Sequence, residues 1–260
     1  TDQFALRDHW IALKAYAERL LGKRENNGVY ICSDTLIERI DEPDADRLAA
    51  NLSAVHRFAE NSAVPVYFTL IPSAAEIWRD RLPAGAPRCD ERALIERLAA
   101  ETKAVFIDTL PALGAHSDEA LYYRTDHHWT SLGALYGAQA LLNGMGLTTT
   151  LSADSAPVRV TDAFYGTLYS RSGARYIQPD GIDAYVPGGE ITVTHIEGEK
   201  EVVTGLYDKE KLAVKDKYAF FMGGNQPLAV VRTGSEGQKL LLISDSYADC
   251  EIPFLCGTFS

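Results

Sequence analysis

The stretch Tyr122–Gly137, YYRTDHHWTSLGALYG, constrains this chain more than any other, because it sets an acid, two histidines, a tryptophan and a helix start side by side. An extended Thr125–Trp129 alternates its side chains, which puts Asp126 and His128 on one face and His127 and Trp129 on the other. An aspartate beside a histidine holds the ring's tautomer and stabilises its cation, which is what a general base requires. Thr130 suits an N-cap, and the following LGALYGAQALL predicts a helix over Leu132–Gly144. Gly133 and Gly137 leave one side of that helix bare enough to lie against a sheet. The competing reading is a loop histidine whose acid partner serves structure alone.

A second block lies near the other end. Lys239–Ile243 (KLLLI) reads as a buried parallel strand running into Ser244-Asp245-Ser246-Tyr247, with a helix from Tyr247 to about Phe259. A serine on a strand-to-helix turn projects its hydroxyl from the carboxyl edge of a sheet, where the first helical amides can meet an oxyanion. Serine and aspartate also favour plain helix caps, so the turn alone decides little. Together the two blocks are worth more, since each supplies what the other lacks.

The chain between and before them alternates strand and helix. Arg7–Leu21 is an amphipathic helix with Trp10, Leu13, Ala17 and Leu20 on its apolar side, stopped by Gly22, with His9 at its surface. Gly28–Cys32 and Thr35–Ile40 read as strands around Ser33-Asp34, and Pro43 opens a helix to about Asn61 that carries a solvated His56. Buried strands Val66–Ile71 and Val105–Asp108 follow, with the turn Pro72-Ser73 and the helix Arg92–Thr102 between them. Short apolar strands alternating with helices predict an α/β fold, a central parallel sheet with helices on both faces. Asp126 and Ser246 should then share the carboxyl edge of that sheet.

From about 148 to 238 the texture changes to glycine, tyrosine and β-branched residues, predicting a β-rich insertion with strands at Glu190–Ile196, Glu201–Tyr207 and Tyr218–Phe221. Tyr165, Tyr169 and Arg171, in YGTLYSR, are candidate wall residues, because stacked aromatics suit sugar rings. Asn225, after Gly223-Gly224, is a candidate oxyanion donor, and Tyr247 a further contact beside the serine. Each of these has a bland alternative in ordinary turn packing.

At 260 residues the chain suits one substantial domain. A net charge of −11 argues against nucleic acid or an anionic membrane surface as the main partner, and against an acidic polymer unless positive charge is gathered locally. Four scattered cysteines make no disulfide framework: Cys32 and Cys89 read as core, and Cys250 and Cys256 fall six apart in one helical stretch.

TDHHWT followed by a Gly-containing helix, with ISDSYA later, resembles the DHHW family of bacterial envelope proteins, itself similar to the SGNH-hydrolase-like domains of alginate O-acetyltransferases. The opening TDQFALRDHWIALK, then ENNGVYI, and the segment DAFYGTLYSRSG extend the resemblance over nearly the whole chain. It implies a three-layer α/β/α, flavodoxin-like scaffold with Ser246 as nucleophile, His128 as base and Asp126 as its orienter. Ser244 departs from the pattern, standing where the family has glycine. The resemblance further implies an O-acetyltransferase or acetylesterase acting on a cell-envelope or exported polysaccharide. An acyl donor would be supplied by a membrane-bound O-acyltransferase, in an extracytoplasmic and membrane-anchored parent protein. The start at Thr1-Asp2 and the stop at Ser260 make a piece of a longer chain the expectation, with its targeting segment and a last sheet strand outside it. No cofactor is expected.

Two further functions remain in play. One is a glycan-binding module on the same scaffold without turnover. The other takes Asp126, His127 and His128 as metal ligands, against which stand the opposite directions of adjacent histidines on a strand and the lack of supporting ligand spacing.

Overall fold

The structure, a computed structural model, describes residues 7–152 and 155–260, with side chains from Trp10 onward. The side chain of His9 and the segment 1–6 used above lie outside those described residues. Helix α1 (Arg7–Leu20) turns the predicted apolar side outward: Trp10, Leu13 and Leu20 are exposed, while Ala15 is buried. It docks through Ile11 and Ala15 instead, because Gly173 lets the backbones close up there; a Cβ on Gly173 would stand 2.9 Å from Ile11 Cγ2. Asn27 and Gly28, both at positive φ, form the two-residue turn between β1 (Glu25–Asn26) and β2 (Val29–Ile31). Strand β3 (Leu36–Glu38) completes that antiparallel sheet.

Asp44, rather than Pro43, opens α2 (Ala45–Asn61), its carboxylate accepting from Arg47 N–H at 2.9 Å. His56 on that helix is half-buried, with Nε2 shielded and unpartnered, not solvated. Strands β4 (Tyr67–Phe68) and β5 (Val105–Phe106) pair in parallel, flanking α3 (Ala74–Ile77) and α4 (Glu91–Glu101). Ser73 caps α3 and is itself held by Glu91. After β4 the chain reaches Pro72, whose carbonyl accepts from the Tyr122 hydroxyl at 2.6 Å, so the acid-histidine block abuts this end of the parallel pair. Helices α5 (Leu110–Gly114) and α6 (Ser131–Gly144) follow.

The expected third parallel strand is absent. Lys239–Ile243 enters no ladder, and Leu241 and Ile243 are 72% and 74% exposed. An apolar run becomes a strand only where neighbouring backbone meets its amides. Here β4 and β5 pair with each other, and Gln238 makes a single parallel bridge to Phe259. The fold is therefore mixed α/β with small separate sheets rather than one broad parallel core. The expected helix after Ser246 is also shortened to a 3₁₀ turn, Ser246–Cys250, and one α-turn, α8 (Ile252–Leu255). Pro253 has no N–H to continue the first turn into the second. Cys250 consequently ends the 3₁₀ turn while Cys256 follows α8, and all four cysteines are buried free thiols.

Residues 158–232 carry further antiparallel β structure. Strand β6 (Val158–Phe164) pairs with β7 (Asp180–Ala184) across α7 (Thr167–Ser172). Strand β8 (Thr192–Glu197) lies between β9 (Lys200–Thr204) and β10 (Ala229–Arg232). Tyr218–Phe220 is a 3₁₀ turn, not a strand, and only Phe221 bridges back to Tyr207. Phe164, Ile182 and Tyr218 share one apolar cluster with Trp78, Trp129 and Leu142, so this region packs into the same core as the helices. No described helix is long and apolar enough to cross a membrane.

Candidate functional site

The acid-histidine block is a bent loop, not a strand. Tyr122 and Trp129 bridge antiparallel, Tyr123 N–H donates to His128 carbonyl at 3.2 Å, and residues 124–128 turn between them. The bend corrects the alternation argument: the His127 and His128 rings touch, with centroids 3.9 Å apart. Asp126 and His128 meet because His128 N–H donates to Asp126 Oδ1 at 3.1 Å, a local side-chain turn. Gly137 and Gly133 make room for Trp129 and the Leu121 carbonyl rather than for a sheet. A Cβ on Gly137 would lie 2.5 Å from the indole, and one on Gly133 2.3 Å from the Leu121 carbonyl oxygen. Trp129, fully buried, donates from Nε1 to the Tyr247 carbonyl at 2.8 Å and so ties this loop to the serine turn.

That tie brings the two blocks together. His128 Nδ1–H donates to Asp126 Oδ1 at 2.6 Å, and His128 Nε2 lies 2.7 Å from Ser246 Oγ. Asp126 and His128 are 3% and 6% exposed, and Ser246 is half-buried. Burial alone would raise the Asp126 carboxyl. The hydrogen bond and charge of His128, with His127 and the Thr167 N–H, outweigh it and hold the group well below the usual carboxylate range. An ionised carboxylate only accepts, so Nδ1 carries the proton and Nε2 presents its lone pair to the serine hydroxyl.

Several residues that build this geometry escaped the sequence reading. Thr167, at the start of α7, donates to Asp126 Oδ2 from its N–H at 2.7 Å and from its hydroxyl at 3.0 Å. Gly166 leaves the carboxylate its place; a Cβ there would sit 2.3 Å from Asp126 Oδ2. Asp180, on β7, accepts from Thr125 N–H at 2.9 Å and from Arg124 N–H at 2.9 Å, fixing the backbone that leads into Asp126. Tyr218 stacks on His128, ring centroids 3.8 Å apart and planes within 6°, and its hydroxyl donates to the Ser246 carbonyl at 3.1 Å. The signal for Gly166 and Thr167 was available, since a glycine-threonine pair between a strand and a helix marks a tight approach. Nothing local in KDKYAFF announces a ring that stacks on a distant histidine.

The other candidates scatter. Tyr165, just before α7, and Tyr169, on it, pair with each other, ring centroids 4.5 Å apart. Arg171 points elsewhere: it holds Glu38 at 2.7 Å and the Gly28 carbonyl, binding α7 to the first sheet. Tyr247 directs its hydroxyl to the His127 carbonyl, which leaves it no free proton for an oxyanion. Asn225 is exposed, and no described hydrogen bond links it to Ser246. Ser244 is exposed and not at positive φ, so the turn asks for no glycine there. Asp249, beside His128, has its carboxyl raised to about 6 by burial, with His128 pulling the other way.

The metal reading gains proximity from the bend, since Asp126, His127 and His128 present ligand atoms within 4.8 Å of one another. Those atoms are already engaged: His128 Nδ1 on Asp126, His128 Nε2 on Ser246, and His127 Nδ1 at 2.8 Å from Thr167 Oγ. A cation would have to break that network to bind.

No curated protein matches the chain. Among solved structures, a DHHW family protein from Eubacterium siraeum DSM 15702 is 26% identical, covering 90% of this chain and 81% of its own, with a TM-score of 0.74. Bacillus cereus PatB1, in a structure with a sulfonyl adduct, is 17% identical over 89% of this chain and 82% of its own, with a TM-score of 0.70. The O-acetyltransferase domain of Pseudomonas putida AlgJ is 18% identical over 69% of this chain and 66% of its own, with a TM-score of 0.48. The sequence pattern of the DHHW protein family matches residues 61–260, a span that includes both the acid-histidine loop and the serine turn, and the chain belongs to that family.

Proposed function

We propose that this chain is a serine-dependent O-acyltransferase or esterase whose acceptor is a hydroxyl of an envelope glycan or water. One observation carries the reading: two consecutive hydrogen bonds, 2.7 Å and 2.6 Å, run from Ser246 through His128 to a buried, ionised Asp126. In that arrangement Ser246 Oγ attacks the acyl carbonyl as its proton passes to His128 Nε2. The Oγ–acyl bond forms, the donor's ester bond breaks, and His128 returns the proton to the departing oxygen. In the second half an acceptor hydroxyl gives its proton to Nε2, takes the acyl group, and Ser246 recovers its hydrogen. The imidazolium formed twice in the cycle sits between the Asp126 carboxylate and the Tyr218 ring face, both of which favour its charge. The Ser246 N–H has no acceptor among the described residues and is the natural donor to the oxyanion, whereas Tyr247 N–H is taken by Asp245 Oδ1 at 3.0 Å. We read the scaffold as SGNH-like, with β4 and β5 its parallel pair.

A sulfonyl adduct in PatB1, a chain of similar fold, suggests the test. Phenylmethylsulfonyl fluoride should add one sulfonyl group to the wild-type protein, seen by intact mass. Ser246→Ala and His128→Ala should abolish both that addition and acetyl-ester turnover, with the melting temperature of Ser246→Ala near wild type. Were Ser246 only a cap, its loss would cost about 1 kcal/mol of stability and the wild type would neither label nor turn over.

A further inference from the structure

An open groove of about 390 Å³ is lined by Tyr165, Tyr169, Arg175, Lys215 and Lys217. In a chain of net charge −11, three cations on one groove are out of keeping with their surroundings. Arg39, Arg79, Arg159 and Arg171 each hold a carboxylate. Among the described residues, no carboxylate lies within ion-pair distance of Arg175, Lys215 or Lys217. Two of the three are set in place in advance. Lys217 Nζ donates to the Leu212 and Val214 carbonyls at 2.5 and 3.0 Å, and the Arg175 guanidinium donates to the Tyr169 carbonyl while lying 4.6 Å from that ring's centroid. Lys215 is exposed and unengaged. The Tyr165 and Tyr169 rings, 4.5 Å apart and inclined at 44°, add an aromatic wall of which Tyr165 is 39% exposed. Tyrosine faces suit the apolar faces of sugar rings, and unpaired ammonium and guanidinium groups suit carboxylate or phosphate.

The groove joins the catalytic cluster at two points of the chain. Tyr165 and Tyr169 flank Gly166 and Thr167, which hold Asp126, and Lys217 precedes Tyr218, which stacks on His128. We infer that the groove seats an anionic glycan, one carrying carboxylate or phosphate groups along its sugars, as the acceptor. This rests on the acyl-transfer reading for what happens next, but the binding itself does not.

Calorimetric titration tests it, using wild-type protein and Ser246→Ala against four probes. These are a galacturonic acid hexamer, its methyl ester, a glycerol phosphate oligomer, and a single-stranded oligothymidylate. At least one of the two acidic glycan-type probes should bind about tenfold or more tightly than the uncharged ester, with affinity falling as salt rises. Lys215→Glu, at an exposed residue that holds no other group, should weaken that binding about fivefold or more and leave the ester unaffected. Arg175→Gln should act in the same direction. Failure of both acidic probes to bind more tightly than the ester overturns the inference, as does indifference to Lys215→Glu or oligothymidylate binding as tightly as the tighter acidic probe. Sulfonyl labelling of the same samples separates the two proposals. Charge-selective binding without labelling leaves the groove standing and removes acyl transfer; labelling without charge selectivity does the reverse.

Discussion

Gly166 offers the sharpest way to disturb the site without touching a reacting atom. Its backbone, at φ −81° and ψ −164°, suits any residue, so replacing it by alanine adds no conformational strain. What alanine adds is a methyl group 2.3 Å from both Cβ and Oδ2 of Asp126 and 2.7 Å from Cγ. Carbon contacts relax only near about 3.5 Å, so about 1.2 Å of separation has to be found. Asp126 is gripped on both oxygens, by Thr167 N–H at 2.7 Å and by His128 Nδ1 at 2.6 Å. A displacement of about 1 Å takes either bond to the limit of hydrogen bonding. The expected result is a fall of about 10²-fold in acetyl-ester turnover and in the rate of sulfonylation. The accompanying stability loss should be about 1–3 kcal/mol, the usual cost of an overpacked methyl. Gly188→Ala is the control, since a Cβ there meets nothing within 4 Å. Steady-state kinetics and the downfield Nδ1 proton resonance of His128 should change together in Gly166→Ala and in neither for the control. If Gly166→Ala keeps its rate within about threefold of wild type, Asp126 is not what readies His128.

Two further outcomes follow from neighbouring contacts. Thr167→Val keeps the N–H bond to Asp126 but deletes the hydroxyl that also meets His127 Nδ1, and should lower turnover about tenfold with Thr167→Ser restoring it, measured as kcat against KM. Glu251 is buried, and burial followed by the charge of Asp245 raises its carboxyl to about 8, so the folded state binds an extra proton above the ordinary carboxylate range. Stability should therefore fall as pH rises from about 4.5 through about 8, and Glu251→Gln should flatten that fall in melting temperature; an unchanged pH profile would refute it.

The sequence singled out residues that the fold brings together more readily than it showed the architecture that does so. Asp126, His128 and Ser246 could be named because each residue type matches a role and the two blocks complement each other. The route by which they meet could not be read. Period-two alternation placed Asp126 and His128 together through an extended segment, while the structure reaches the same pairing through a bend that also brings His127 alongside. The hydrophobic pattern of Lys239–Ile243 is that of a buried strand, but pairing depends on which backbone lies beside it, and hydropathy carries no such information. Trp10, Leu13 and Leu20 fail for the same reason: periodicity shows a stripe without showing what covers it. The turn Asn27-Gly28, by contrast, went unread with Gly28 assigned to a strand, although that pair favours a two-residue hairpin.

The region between the two blocks proves inseparable from them. Gly166 and Thr167 follow β6 and hold the acid, Asp180 on β7 fixes the backbone before it, and Tyr218 covers the base. The same segments carry Tyr165, Tyr169 and Lys217 into the groove. Any change that moves β6, α7 or the Tyr218 turn to reshape the groove must also move a support of Asp126 or His128. On the proposed mechanism, altering what the groove accepts without losing the general base therefore requires substitutions at the flanking side chains alone, with Gly166, Thr167 and Tyr218 left in place. On that reading, selectivity can vary only one residue away from the groups proposed to carry the chemistry.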